Sequence, residues 1–305
     1  MTLTELRYIV AVARERHFGR AASACYVSQP TLSVAIKKLE EELGVLLFER
    51  GAGDVAVTPT GRVIVEQAQR VLEEAARIKE IAQAGRDPLA GPIRVGAIYT
   101  IGPYLFPKLV PIVRRNAPSM QLIITENYTH VLATMLKQGE VDAIVVALPF
   151  VEQGVEVQPL YDEPFLVAMP QGHPFEKKKQ VSADELEKES LLLLGAGHCF
   201  RDQVLDLCSK VHRSASGLQR TLEGGSLETI RQMVASGVGV TVLPSSSVAP
   251  GSGATGLIRV RPFAKPVPDR RVALAWRKSF PRPQAIQVLR DAILACDLPQ
   301  VTRVQ

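Results

Sequence analysis

The chain has 305 residues, 46% hydrophobic and 22% charged, enough material for two or three domains with cores of their own. No basic start followed by an apolar run opens it, and no stretch approaches the roughly 20 apolar residues of a membrane span, so the expectation is a cytoplasmic protein without a membrane partner. The net charge of +5 is not by itself the footprint of a nucleic-acid-binding head, because the first 87 residues carry equal numbers of basic and acidic side chains and the excess lies downstream.

Thr2 and Glu5 have capping-box spacing, and Leu3, Leu6, Val10 and Ala13 follow at helical intervals, which predicts a first helix. Phe18, Ala21, Ala22 and Cys25 fit a second, short one, with Cys25 as a small core residue. Ser28 is a good N-cap, Pro30 is tolerated in a first turn, and Leu32, Ile36, Leu39 and Leu43 form one stripe that Gly44 ends. Ser28, Gln29, Pro30, Thr31, Ser33 and Lys37 then occupy the start and the polar face of this third helix, where such side chains could reach phosphates and base edges. Any three-helix bundle would show the same apolar stripes; the polar face is what favours a helix-turn-helix. Leu46 to Phe48 and the alternating Val55 and Val57 flank Arg50, Gly51 and Gly53, a small β-wing with a phosphate-reaching arginine.

Thr58-Pro59 opens a long helix whose Ile64, Ala68, Val71, Ala75, Ile78 and Ala82 step alternately by four and three, the seam of a coiled coil, and so predict a dimer. Gly85 to Pro92 has the composition of a hinge. From Ile93 strands alternate with helices: IRVGAI, a helix over Pro103 to Asn116, QLIITE, DAIVVAL, then FLVAMP, the leucines Leu191 to Leu194, SLETIRQMVASGVGVTVLP and RRVALAW, with a last helix from Pro283 to Ala295. That alternation predicts parallel α/β sheet with functional loops at the carboxyl ends of the strands. His173 fits an ordinary loop and Cys296 has no evident role.

The stretch Gly195 to Cys208, GAGHCFRDQVLDLC, holds two of the four cysteines. Its glycines followed by a helical pattern place Cys199 at a helix N-terminus, which favours a thiolate. If the whole segment were helical the two Cα atoms would lie ~13 Å apart, whereas a disulfide needs about 4.4 to 6.8 Å, so joining them requires unwinding. Two structural thiols are the competing reading. A zinc site is disfavoured because only His198 is near and no CxxC or HxxxH spacing accompanies it. Asp202 could hold Arg201 or His198, or simply cap the helix.

The run AASACYVSQPTLSVAIKKLEEELGVLLFER followed by VTPTG resembles the winged helix-turn-helix of LysR-type transcriptional regulators, and GHCFRDQVLDLC resembles the redox segment of their peroxide-sensing members. The resemblance implies an α/β multidomain chain: a winged helix-turn-helix over 1–58, a linker and dimerisation helix with hinge over 59–91, and a regulatory domain over 92–305. The last would comprise two α/β subdomains of periplasmic-binding-protein type, 92–161 with 267–305 and 162–266. It further implies Cys199 oxidised by hydrogen peroxide and then bonded to Cys208. Thr100, Thr129 and His198 would position the peroxide and donate to the departing hydroxide, with Arg201 and Asp202 near them. Arg271 would stand beside that pocket, with the adjacent Arg270 as the alternative register. The implied partners are double-stranded DNA, further copies of the chain up to a tetramer, RNA polymerase and a cytosolic thiol reductant, with no cofactor, no metal and no enzymatic turnover. The alternatives are a regulator binding a small organic effector between the subdomains, a solute-binding protein and a thiol peroxidase.

Overall fold

The computed structural model describes residues 1–50, 55–84, 87–207, 222–248 and 256–304. Cys208, and the wing glycines Gly51 and Gly53 and the hinge residue Gly85, lie outside them. The chain separates into two compact units, Met1–Arg86 and Asp87–Gln305.

In the first unit, α1 (Leu3–Glu15) is held by the expected capping box: Thr2 accepts from the Glu5 amide while the Glu5 carboxylate accepts from the Thr2 amide. His17 caps α2 (Phe18–Ala24) by accepting the Gly19 and Arg20 amides on Nδ1. Ser28 caps α3 (Gln29–Leu43), which ends at Gly44 in the left-handed region. Leu6, Ile9, Val12, Ala21, Leu32, Ile36 and Leu39 meet in one core, with Cys25 packed at its margin. The wing is an antiparallel pair, β1 (Phe48–Arg50) and β2 (Val55–Val57). The buried Glu40 on α3 accepts the Leu47 and Phe48 amides, so the wing is tied to the third helix by a side chain that has no other reason to be inside.

The long helix α4 (Pro59–Ala84) forms as expected, but its stripe is divided. Ile64 and Ala68 pack onto the core of their own unit, where α4 lies along α1, so they are not part of a free seam. Val71 and Ile78 remain exposed further along. Spacing alone does not distinguish the two fates, because a helix that docks on a core and one that docks on its twin show the same period.

The second unit contains one continuous path of strands, in the order β4-β3-β5-β11-β6-β9-β7-β8. These are β3 (Gly91–Ile98), β4 (Met120–Asn127), β5 (Ala143–Ala147), β6 (Val155–Pro170), β7 (Leu191–Leu194), β8 (Leu222–Gly224), β9 (Val240–Pro244), β10 (Ile258–Pro262), which pairs with β6, and β11 (Asp269–Arg277). Strand β6 joins two lobes: its first part pairs with β11 and its last residues with β9 and β10. The spacing anticipated only its FLVAMP end, since Pro159 and Pro164 break the pattern; the register against β11 shifts opposite Val272 and Ala273, where Leu160 is the extra residue next to Pro159. Around the first lobe pack α5 (Gly102–Asn116), α6 (Thr129–Lys137) and α10 (Pro283–Leu294). Around the second pack α7 (Ala183–Leu186), α8 (Cys199–Leu207) and α9 (Leu227–Ala235). The lobes have separate cores, one built on Val95, Leu105, Ile144 and Leu274 and the other on Phe165, Leu192, Phe200 and Val242.

Candidate functional site

Helix α8 belongs to the second lobe through Phe200, Val204 and Leu205, yet its first residue, Cys199, is half-buried against the core of the first. Gly197, two residues before it, has φ +94°, a left-handed turn that favours glycine, and it lies beside the Tyr128 ring. The thiol is thereby set in a cleft of about 10 Å³ lined by Ile98, Tyr99, Thr100, Asn127, Tyr128, Thr129, Gly197, His198 and Cys199. That is the room one water-sized molecule needs.

Thr100 follows the end of β3 and Thr129 opens α6, so the carboxyl ends of adjacent parallel strands deliver both hydroxyls. Thr100 is buried, and its oxygen accepts from Arg270 Nη1 at 2.7 Å, which leaves its own proton to give. Thr129 Oγ1 is buried with no hydrogen-bond partner. His198 is also buried; burial pulls its pKa below 6.5, and a hydrogen bond to the Gly225 backbone opposes this less strongly. The imidazole is therefore neutral at pH 7. The neutral ring keeps one nitrogen able to accept a hydrogen bond, and it lines the cleft beside the thiol. Tyr128 and Tyr99 hold the ring edge-on, with centroids 4.8 and 5.8 Å away.

The two neighbouring arginines on β11 have opposite fates. Arg271 is half-exposed and forms a bidentate pair with Asp162 at 2.7 and 2.8 Å, away from the cleft. Arg270 is 0% exposed: it pairs with the equally buried Glu163 at 2.7 Å, donates to both the hydroxyl and the carbonyl of Thr100, and lies over the Phe200 ring at 5.3 Å. The expectation at Arg271 is thus corrected by one residue. Alternation along the strand does not separate the two, because Val272, Ala273, Leu274 and Ala275 beyond them are all buried. Glu163 in turn accepts the Ser246 amide, which joins the cleft through Thr100 and Arg270 to the second lobe.

Arg201 and Asp202 are not brought to the thiol. Arg201 donates to the Leu194 carbonyl and pairs with Glu223 at 2.7 Å, and Asp202 is exposed in the first turn of α8. Tyr99, Asn127 and Tyr128 line the cleft without having been expected there. Cys296 is buried, its thiol bonded to the Ala292 carbonyl and pushed by burial to a pKa of about 11. Among the described residues no group of His, Cys, Asp or Glu could hold a metal ion, and no helix is long and apolar enough to cross a membrane.

On α3, Gln29, Pro30, Thr31 and Lys37 are exposed and Ser33 is half-buried. Ser28 Oγ accepts the Thr31 amide at 3.3 Å, and Lys37 lies 3.8 Å from Glu41. Arg50 ends strand β1.

Residues 3–62 match the lysR-family bacterial regulatory helix-turn-helix and residues 86–296 the LysR substrate-binding domain. The chain belongs to the LysR family. The DNA-binding transcriptional dual regulator OxyR of Escherichia coli K12 is 39% identical over 295 residues, covering 97% of this chain and 95% of that protein. A cysteine-to-aspartate variant of full-length OxyR from Pseudomonas aeruginosa is 57% identical, covers 100% of this chain and 99% of the other, and superposes with a TM-score of 0.80. A hydrogen-peroxide-bound cysteine mutant of OxyR from Corynebacterium glutamicum is 34% identical over 96% of this chain and 91% of its own, with a TM-score of 0.64. Like these LysR-family regulators, the chain joins a DNA-binding head to a two-lobed α/β regulatory domain.

Proposed function

We propose that this LysR-family regulator senses hydrogen peroxide through Cys199 and reports it by changing its contacts with promoter DNA. The observation that carries the reading is the buried, partnerless Thr129 hydroxyl in a water-sized cleft beside the thiol at the start of α8. A buried polar group without a partner costs free energy, and the cost is recovered when a small polar molecule enters.

In the proposed step the Cys199 thiolate attacks one peroxide oxygen. A sulfur–oxygen bond forms, the oxygen–oxygen bond breaks, and sulfur loses two electrons to the peroxide. Thr129 and Thr100 donate to the departing hydroxide, which takes up a proton to leave as water, while His198 accepts from the remaining peroxide hydrogen. Arg270 keeps Thr100 oriented and does not itself touch the peroxide. The sulfenic acid then condenses with the Cys208 thiol to a disulfide, releasing water. Since α8 runs on from Cys199 to Leu207, this second step needs the helix opened. Its unwinding strips Phe200, Val204 and Leu205 from the second lobe's core and makes the segment a two-state element.

The chain turns over once per reduction, so it acts as a sensor rather than as a peroxidase, and a cytosolic thiol reductant resets it. Contacts with DNA come from Ser28, Gln29, Pro30, Thr31, Ser33, Lys37 and Arg50, with pairs of heads set by α4 and a tetramer as the full assembly. RNA polymerase receives the signal at the promoter. The deciding experiment footprints promoter DNA with the reduced and the peroxide-treated protein. The wild type is expected to shift its footprint, Cys199→Ser to show none, and mass spectrometry of the oxidised wild type to find Cys199 joined to Cys208. A shift that persists in Cys199→Ser places the switch elsewhere.

A further inference from the structure

Most of the outward face of α3 is polar, as a groove-entering helix requires, yet its centre is not. Val34 follows the exposed Pro30 by four residues and precedes the exposed Lys37 by three, so these side chains share one face. Leu32, Ile36 and Leu39 bury the opposite one. Val34 is 68% exposed. A β-branched residue gains nothing for the helix at such a site, where its intrinsic propensity is among the poorer ones. Lone exposed apolar residues are ordinary on a protein surface. Here the place is not ordinary, because the flanking Gln29, Thr31, Ser33 and Lys37 are exposed or half-exposed polar groups on the helix proposed above to meet DNA. One base-edge feature of the major groove is apolar, the C5-methyl of thymine. Val34 presents its two γ-methyls from a single favoured χ1 rotamer, so little freedom is lost when it is used.

We propose that Val34 is a specificity-determining residue that recognises the 5-methyl group of one thymine in each half-site of the operator. The inference rests on DNA binding by α3 and adds to it a discrimination that no polar residue of the face supplies. Gln29, Ser33 and Lys37 read hydrogen-bonding edges or phosphates, and all of those are unchanged when thymine loses its methyl group.

The test uses the full-length protein and duplexes that it selects from a random library. In the selected sequence each thymine is replaced, one at a time, by deoxyuridine, which removes the methyl group and keeps the pairing. For the wild type, one position per half-site is expected to weaken binding roughly three- to fivefold, the value of one buried methyl group. Val34→Ala, which raises helix propensity at an exposed site, is expected to bind the thymine duplex weaker by a similar factor and to lose the thymine-over-uracil preference at that position alone. Salt dependence should be unaltered, since no phosphate contact is removed. A wild type indifferent to every methyl group overturns the proposal, as does a preference that survives in Val34→Ala. Failure to select any DNA would overturn the DNA reading as well, so the two failures are told apart.

Discussion

The starts of α3 and α8 both gather polar side chains at a helix N-terminus, and they are built in opposite ways. At α3 the chain satisfies itself: Ser28 caps the Thr31 amide, and the remaining polar groups stand in water on flexible side chains. At α8 the surroundings are largely buried: Thr100 and His198 are buried and already engaged, and Thr129 Oγ1 is left without a partner. An open, self-satisfied terminus suits a large polyanion that arrives with its own shape and counterions. A closed cleft with one polar group unmet suits a molecule of about the size of water. The difference lies less in residue type than in how much of each site's hydrogen bonding is completed before the ligand arrives.

The sharpest way to break this contrast is to remove what holds the cleft closed. Arg270→Met leaves Glu163 buried without its cation and should destabilise the second unit by about 3–5 kcal/mol in denaturant titrations, with the peroxide response lost. Arg271→Ala, one residue along and in solvent, should leave both unchanged. Equal effects of the two would mean that burial does not separate them.

Exchanging the hydroxyls comes next. Thr129→Val keeps the shape and removes a group that has no partner, so stability should hold or rise while the second-order rate of Cys199 oxidation falls about tenfold, the worth of one hydrogen bond to a charged centre. Ser28→Ala should do the reverse, costing about 1 kcal/mol of stability in the first unit with the oxidation rate unaltered. Stopped-flow oxidation and thermal melting together decide between the two behaviours.

The smallest effect concerns pH. Burial holds His198 below its ordinary pKa, so below about 6.5 the unfolded chain gains a proton that the folded one resists, and stability falls as pH falls. His198→Gln removes that contribution. Between pH 7 and 5 the variant should lose less stability than the wild type, and a parallel loss would show that the ring is not desolvated in solution.

Much of this was legible beforehand. The Thr2–Glu5 capping box, the stripe Leu32–Ile36–Leu39, the strand ends before Thr100 and Thr129 and the place of Cys199 at the start of a helix are local features, and local spacing encodes them. The missed features depend on a neighbour distant in the chain. Whether Arg270 or Arg271 turns inward is set by the pairing of β11 with β5 and β6. The loss of Ile64 and Ala68 from the α4 seam is set by α1. The length of β6 is hidden by two prolines, Pro159 and Pro164, that its pairing with β11 accommodates.

By itself, then, the sequence determined the kinds of element, their order and the residues equipped for thiol chemistry and for DNA, because periodicity, caps and side-chain inventory are carried within a few positions. Only the tertiary structure decided which hydroxyls meet at the thiol, that burial lowers the pKa of His198, that Arg270 is the buried cation and that the cleft beside the thiol has room for about one water-sized molecule. The physical reason is that burial and hydrogen-bond satisfaction belong to pairs of groups brought together by folding, and no stretch of chain specifies its partners alone.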